Sequence, residues 1–368
     1  MHSIWDLANQ QLRDFAVYEP GKPIEETARE LGVQPADIIK LASNENPLGP
    51  SPKAVAAMRE AINDVQLYPD GAGYYLRTKL AEQLRLAPEN IILGNGSNEI
   101  IEFLGHAFLG RPEHNIVVSQ YAFIAYQLAA RLFNAPVIEV PTRHYAHDLE
   151  AMLEAITPQT RLVFIANPNN PTGTLASPEQ IDRFIDRVPN DVITVIDEAY
   201  YEFLSDRPDT LRHVREGRNV VVLRTFSKIH GLASLRVGYG MAPAPLIEVL
   251  QKTREPFNVN GLGQVAALAA LSDDGHKRAS KQVNDEGRAW LENELNVMFL
   301  QFVPGAGNFI MVNVGDGPAI FRQMLERKII VRPLRNYGLT PWVRISIGTM
   351  EQNRRCLAAL RETLSQRA

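Results

Sequence analysis

Between about residue 90 and residue 240 the chain alternates short apolar runs with longer stretches of helical periodicity, and few folds accept that pattern. The runs Ile91-Ile92-Leu93, Ile116-Val117-Val118, Leu162 to Ala166, Val192 to Ile196 and Val220 to Leu223 are almost wholly apolar, as strands buried on both faces must be. The segments between them are long enough for helical crossovers, so the pattern predicts a mostly parallel α/β sheet flanked by helices. Ligands of such sheets collect beyond the carboxyl ends of the strands. The polar residues that follow the runs are therefore the candidate site: Asn95 and Ser97, Asn170, Asp197, and Thr225 to Lys228.

The flanking regions read differently. Ile4, Leu7, Ala8, Leu12 and Phe15 recur at helical spacing and predict an N-terminal amphipathic helix. Loops rich in Pro and Gly follow at Glu19 to Pro23 and Asn46 to Pro50. After about residue 255 the pattern is α+β. A helix near 277–296 precedes a strand from Asn308 to Val314, and another precedes Ile329 to Arg332. In the next strand Val343, Ile345 and Ile347 share one face, and Trp342, Arg344 and Ser346 the other. A final helix spans about 351–366. A chain of 368 residues suits a large domain, expected at 45–255, plus a smaller α+β one from 1–44 and 256–368.

Composition excludes several functions. The net charge of −4 gives no basic excess for nucleic acid. Cys356 is the only cysteine, which excludes disulfides and cysteine-rich metal sites and fits a reducing cytoplasm. No metal-ligand spacing is present. No run of 18 apolar residues is long enough to span a membrane, and Asp6, Arg13 and Asp14 interrupt the signal-peptide pattern.

Single motifs are ambiguous. Gly94 to Glu99 lies between a strand and a helix but lacks the last glycine of a dinucleotide fingerprint. It reads either as a tight turn or as a phosphate site at a helix N-terminus. Asp197 and Glu198 end an apolar strand, as in phosphate-loop NTPases, but no matching Gly-Lys loop exists, since Gly21-Lys22 is followed by proline. Asp197 alone reads as a helix cap, Lys228 alone as solvated surface, and Asn167 to Gly173 alone as a turn-rich loop.

The combination is specific. Asn170-Pro-Thr-Gly, Asp197-Glu-Ala-Tyr, Ser227-Lys228 with an arginine eight residues on, and a late arginine on an alternating strand occur in one order. This resembles the fold-type I transferases dependent on pyridoxal 5′-phosphate (PLP) over nearly the whole chain. Within them it is similar to the histidinol-phosphate aminotransferase family, through Tyr18 to Glu26, Ser43 to Gly49, Tyr68 to Gly71, Phe226 to Arg236, Ile330 to Leu334 and Val343 to Thr349.

The resemblance implies roles. Lys228 carries the cofactor covalently and moves a proton, which suits an amine whose pKa falls readily on desolvation. Asp197 faces the pyridine nitrogen and keeps it protonated. Tyr200 and Asn170 donate to the ring oxygen. Ser97 and Asn98 offer backbone donors to the cofactor phosphate, Thr225 and Ser227 offer hydroxyls, and Arg236 a two-pronged guanidinium. The family commonly has Asp where this chain has Asn98, which leaves the backbone donor intact. Tyr68 reaches this phosphate from the second subunit of a homodimer. The ring-stacking aromatic is Phe123 or Tyr121, and aligning Tyr126 with a later family tyrosine selects Phe123. Arg344 receives the substrate anion, with Asn44, Arg332 and Tyr18 beside it. The implied reaction exchanges an amino group between glutamate and imidazole-acetol phosphate, a step of histidine biosynthesis. Transamination of aromatic keto acids and decarboxylation of a phosphorylated amino acid use much the same motifs. A PLP-binding regulator would need a DNA-binding domain for which the chain has no spare length.

Overall fold

The computed structural model describes residues 3–13 and 21–366. Its thirteen strands are β1 Ile39–Lys40, β2 Ile91–Asn95, β3 Asn115–Ser119, β4 Val137–Val140, β5 Thr160–Ala166, β6 Ile193–Asp197, β7 Val220–Thr225, β8 Val237–Met241, β9 Phe302–Val303, β10 Phe309–Asn313, β11 Ile329–Ile330, β12 Arg332–Leu334 and β13 Leu339–Ser346. Seven form one sheet in the order β2-β8-β7-β6-β5-β3-β4. All its pairings are parallel except those of β8, which is antiparallel to both neighbours.

Residues of the central strands alternate between two apolar cores. Val117, Val163, Ile165, Ile196 and Val222 face one; Ile116, Val118, Phe164, Val195 and Leu223 face the other. Helices cover both faces, which is why these strands read as continuous apolar runs. Strand β8 escaped that reading because Gly238 and Gly240 interrupt it. The interruption has a steric cause: a Cβ on Gly238 would lie 2.2 Å from the Ser97 amide nitrogen. Glycine there lets the helix Ser97–Phe108 start directly against the sheet, beside the end of β7, where Thr225 pairs with Gly238.

The smaller sheet, β12-β13-β10-β9, is antiparallel. Val343, Ile345 and Ile347 turn into a core with Ile310, Val312 and Leu357, as the alternation predicts. The long helix Asp274–Val297 and the last helix, Met350–Ser365, cover this core, the latter opened by a Thr349–Gln352 capping box. Strand β1 pairs in parallel with β11 and brings Ile39 and Leu41 into the same core.

One expectation needs correction. Residues 3–13 form not one amphipathic helix but two short 3-10 turns, Ile4–Asp6 and Gln10–Leu12. Ile4, Trp5 and Leu7 are exposed, and a short helix without an apolar partner is marginal; Phe15 lies outside the described residues. The helix Gly261–Leu271, expected with the smaller part, packs Ala266, Ala267 and Ala270 into the core of the large sheet.

Gly238→Ala is expected to lower stability by about 1–3 kcal/mol, because the methyl meets backbone that must move. Gly240→Ala should cost less, since its Cβ meets only Ile92 and Ile100 side chains, the nearest at 3.2 Å. Urea midpoints of the two variants compare them, and the reverse order would contradict this account of β8.

Candidate active site

The carboxyl ends of β5, β6 and β7 are level, since Ala166 pairs with Asp197 and Asp197 with Leu223. The segments leaving these ends enclose a cavity of about 210 Å³. Its lining includes Ser97, Asn98, Phe123, Asn170, Asp197, Tyr200, Thr225, Ser227, Lys228 and Arg236. The sequence placed these residues as far as 139 positions apart, and the fold brings them to one volume. Phe123 lines the cavity; Tyr121 instead packs toward Tyr145, with ring centroids 6.2 Å apart.

Asp197 is buried at the end of β6. Its Oδ2 accepts from the Tyr126 hydroxyl at 2.7 Å and its Oδ1 from the Ala199 amide at 3.1 Å. Burial pushes the carboxyl up to about 6, against those two donors and the charge of Lys228. Tyr126 itself is fully buried, stacked on Phe164 at 4.7 Å and edge-on to Phe123 at 5.7 Å. Sequence reasoning used Tyr126 only to align Phe123. Its role as a donor carried no signal, because a tyrosine amid apolar residues reads as core.

Lys228 donates to the Ser43 carbonyl at 3.3 Å, and its Nζ lies 5.8 Å from the centre of the Tyr200 ring. Burial, followed by the Arg344 and Arg236 guanidiniums, lowers its ammonium to about 8, while Glu45 and Asp197 oppose them. A minor neutral fraction, about a tenth, therefore exists at pH 7, far above that of an exposed lysine.

Asn44 ties the cavity to the small sheet. It adopts φ 55°, in the left-handed region that asparagine tolerates. Its amide nitrogen donates to Ser346 Oγ at 2.8 Å, and that hydroxyl donates back to Asn44 Oδ1 at 3.0 Å. Asn308 donates to its carbonyl at 2.9 Å. Its Nδ2 donates to the Tyr200 hydroxyl at 2.9 Å, which leaves the Tyr200 hydrogen for a ligand. Burial raises the Tyr200 phenol to about 12, so it stays a donor. Arg344, on β13, donates to Asn170 Oδ1 and, at 2.7 Å, to the Ala42 carbonyl. Because arginine only donates, Asn170 must turn its oxygen to Arg344 and its NH₂ elsewhere.

The other end of the cavity suits a phosphate. Gly96, at φ 79°, has no room for a side chain: its Cβ would lie 2.4 Å from Arg236 Nη2. The helix start at Ser97 and Asn98, the hydroxyls of Thr225 and Ser227, and Arg236 supply amides, hydroxyls and a cation there. Arg236 Nη1 donates to Ser227 Oγ at 3.4 Å.

Two expected residues stand apart. Arg332 pairs across the strands with Arg344, but lines a separate cavity of about 500 Å³ with Lys22, Arg322 and Arg335. Tyr68 is 82% exposed, stacks on Phe257 at 4.8 Å and does not line its own chain's cavity. Tyr18 lies outside the described residues. Conversely, Glu45 and Ser43 line the cavity, though only their neighbour Asn44 was singled out in the sequence.

Comparison with known proteins gives the family. The profile of aminotransferase class I and II matches residues 36–360. The chain is 52% identical over 363 residues to a histidinol-phosphate aminotransferase of Akkermansia muciniphila, covering 98% of this chain and all of that one. It is 50% identical over 352 residues to one from Moorella thermoacetica, covering 95% and 90% of the two. A crystal structure of the Sinorhizobium meliloti histidinol-phosphate aminotransferase in complex with pyridoxal-5′-phosphate superposes with a TM-score of 0.86 at 27% identity, covering 97% of each chain. The fold, the residues gathered at its strand ends and these near full-length matches lead to one conclusion: the chain belongs to the class I and II aminotransferases.

Proposed function

We propose that the protein is a PLP-dependent histidinol-phosphate aminotransferase, exchanging an amino group between glutamate and imidazole-acetol phosphate. The observation that carries this reading is the convergence of Lys228, Asp197 and Arg236 on one cavity, in a chain 52% identical end to end to a protein of that name. The donors around Gly96 fit the cofactor phosphate, and the buried carboxylate of Asp197 fits a protonated ring nitrogen. When bound, PLP supplies a sink for the electron pair left as a substrate Cα–H bond breaks.

The chain's own groups do the rest. Lys228 holds the cofactor and, with its lowered pKa, takes the proton from Cα and returns it. Asp197 keeps the proton on the ring nitrogen. Tyr200 and Asn170 present hydrogens to the ring oxygen, each oriented by the partner on its far side, Asn44 and Arg344. Phe123 stacks on the ring. Arg344 receives the carboxylate of glutamate or the phosphate of the second substrate, since one planar fork serves both anions. Arg332 and Tyr18 assist with that phosphate. We place 45–255, with the helix Gly261–Leu271, in the cofactor-binding part, and 1–44 with the remaining C-terminal residues in the smaller part.

The reading includes a homodimer in which Tyr68 completes the neighbouring phosphate site. Its exposure supports this, together with exposed Val65, Leu67 and Tyr75 around the same groove. We place the enzyme in the cytoplasm; among the described residues no helix is long and apolar enough to cross a membrane.

A glutamate-dependent assay across imidazole-acetol phosphate, phenylpyruvate and hydroxyphenylpyruvate tests the function. The highest kcat/KM is expected for imidazole-acetol phosphate, and a preference for either aromatic acid would overturn the substrate. The role of Tyr126 has its own readout. Its hydrogen bond lowers the Asp197 pKa, so Tyr126→Phe raises it further and removes the ionised carboxylate at higher pH. The acid limb of the pH–rate profile should move upward, with the rate at alkaline pH least affected. An unmoved limb, or a downward shift, would contradict that role.

A further inference from the structure

Two carboxylates line the cavity, Asp197 and Glu45. Asp197 faces the ring nitrogen in the proposed reaction; Glu45 offsets the guanidiniums around Lys228 but has no part assigned toward substrate, and its presence is unexpected where both substrates bring anions. Its Oε1 accepts from Lys40 Nζ at 2.8 Å, while Oε2 has no hydrogen-bond partner among the described residues. Glu45 is also firmly placed. Asn44 before it is fixed by the bonds to Ser346, Asn308 and Tyr200. Asn46 after it donates to the Ile229 carbonyl and to Ser280 Oγ, both at 2.8 Å. The Glu45 side chain is 44% exposed, so this carboxylate, held between two anchored residues, keeps one oxygen open to solvent and to a ligand in the cavity.

We propose that Glu45 is a specificity-determining residue whose carboxylate receives the ring N–H of an imidazole-bearing substrate. The proposal rests on the functional reading above and names what distinguishes its two substrates. Histidinol phosphate brings an N–H to this carboxylate; glutamate brings none, and a phenyl side chain would leave the acceptor to water and Lys40. A hydrogen bond that one ligand makes and another does not separates their affinities by the net strength of that bond. Lys40 neutralises Glu45 when glutamate occupies the cavity, so the second substrate is tolerated.

The test follows the two half-reactions separately in the holoenzyme, in wild type and Glu45→Ala. The apparent Kd for histidinol phosphate should rise about ten- to a hundredfold, the loss of one charge-assisted bond, while that for glutamate changes less than about threefold. Glu45→Gln, which keeps an acceptor, should recover part of the loss. Calorimetric titration of histidinol phosphate into Lys228→Ala protein, with and without Glu45→Ala, should give the same ratio without turnover. Equal losses for both substrates would overturn the proposal and leave Glu45 as a group that only tunes Lys228. No loss for either would overturn it as well. Wild-type protein that does not accept histidinol phosphate would instead overturn the functional reading itself.

Discussion

The active cavity depends on one residue with every polar group engaged. Asn44 uses its amide, carbonyl and side chain to join Ser346 and Asn308 of the small sheet region to Tyr200 at the end of β6. Its left-handed backbone turns the chain so that Ser43 presents its carbonyl to Lys228 and Glu45 lines the cavity. Arg344 repeats the link one layer away, through Asn170 and Ala42. Two parts of the chain, each with its own apolar core, thus meet through these hydrogen bonds as well as through smaller shared clusters, such as Tyr200 and Ile229 against Phe309. Such a joint specifies geometry, because a buried polar group that loses its partner costs about 1–3 kcal/mol.

Electrostatics follow from that enclosure. Burial pushes Asp197 up to about 6 and Lys228 down to about 8, so the two values approach each other across one cavity. Each charged form survives only through its neighbours: Tyr126 and the Ala199 amide for Asp197, Asp197 and Glu45 for Lys228. Perturbed groups of this kind destabilise the empty cavity and favour binding of a ligand that brings the complementary charges. Behind the site, the buried Glu198–Arg224 pair at 2.8 Å, with Thr210 donating to Glu198, neutralises the residue that follows Asp197.

Much of this was legible in the sequence, and the reasons differ by element. The strands ending at Ala166, Asp197 and Thr225 were legible because burial on both faces demands unbroken apolar runs, and the chain writes them plainly. The residues just beyond them are therefore the candidate site by topology alone. Strand β8 was hidden by the glycines that let Ser97 approach. The N-terminal helix was misread because periodicity promises a stable helix only when its apolar face is covered, and Ile4 and Leu7 are exposed. Tyr126 and Glu45 left no mark: one looks like core, the other like surface. The expectations for Tyr68 and Arg332 came from resemblance; in a single chain neither lines the cavity that holds Lys228.

The central claim is that Lys228 is the covalent anchor of the cofactor in this cavity. Borohydride reduction of the PLP-loaded protein, followed by digestion and mass spectrometric mapping, tests it most directly. The pyridoxyl group is predicted on Lys228 alone, in a peptide that includes Thr225 to Lys228, and absent from Lys228→Ala protein that still folds. A pyridoxyl group found instead on another lysine, such as Lys40 or Lys22, would contradict the account.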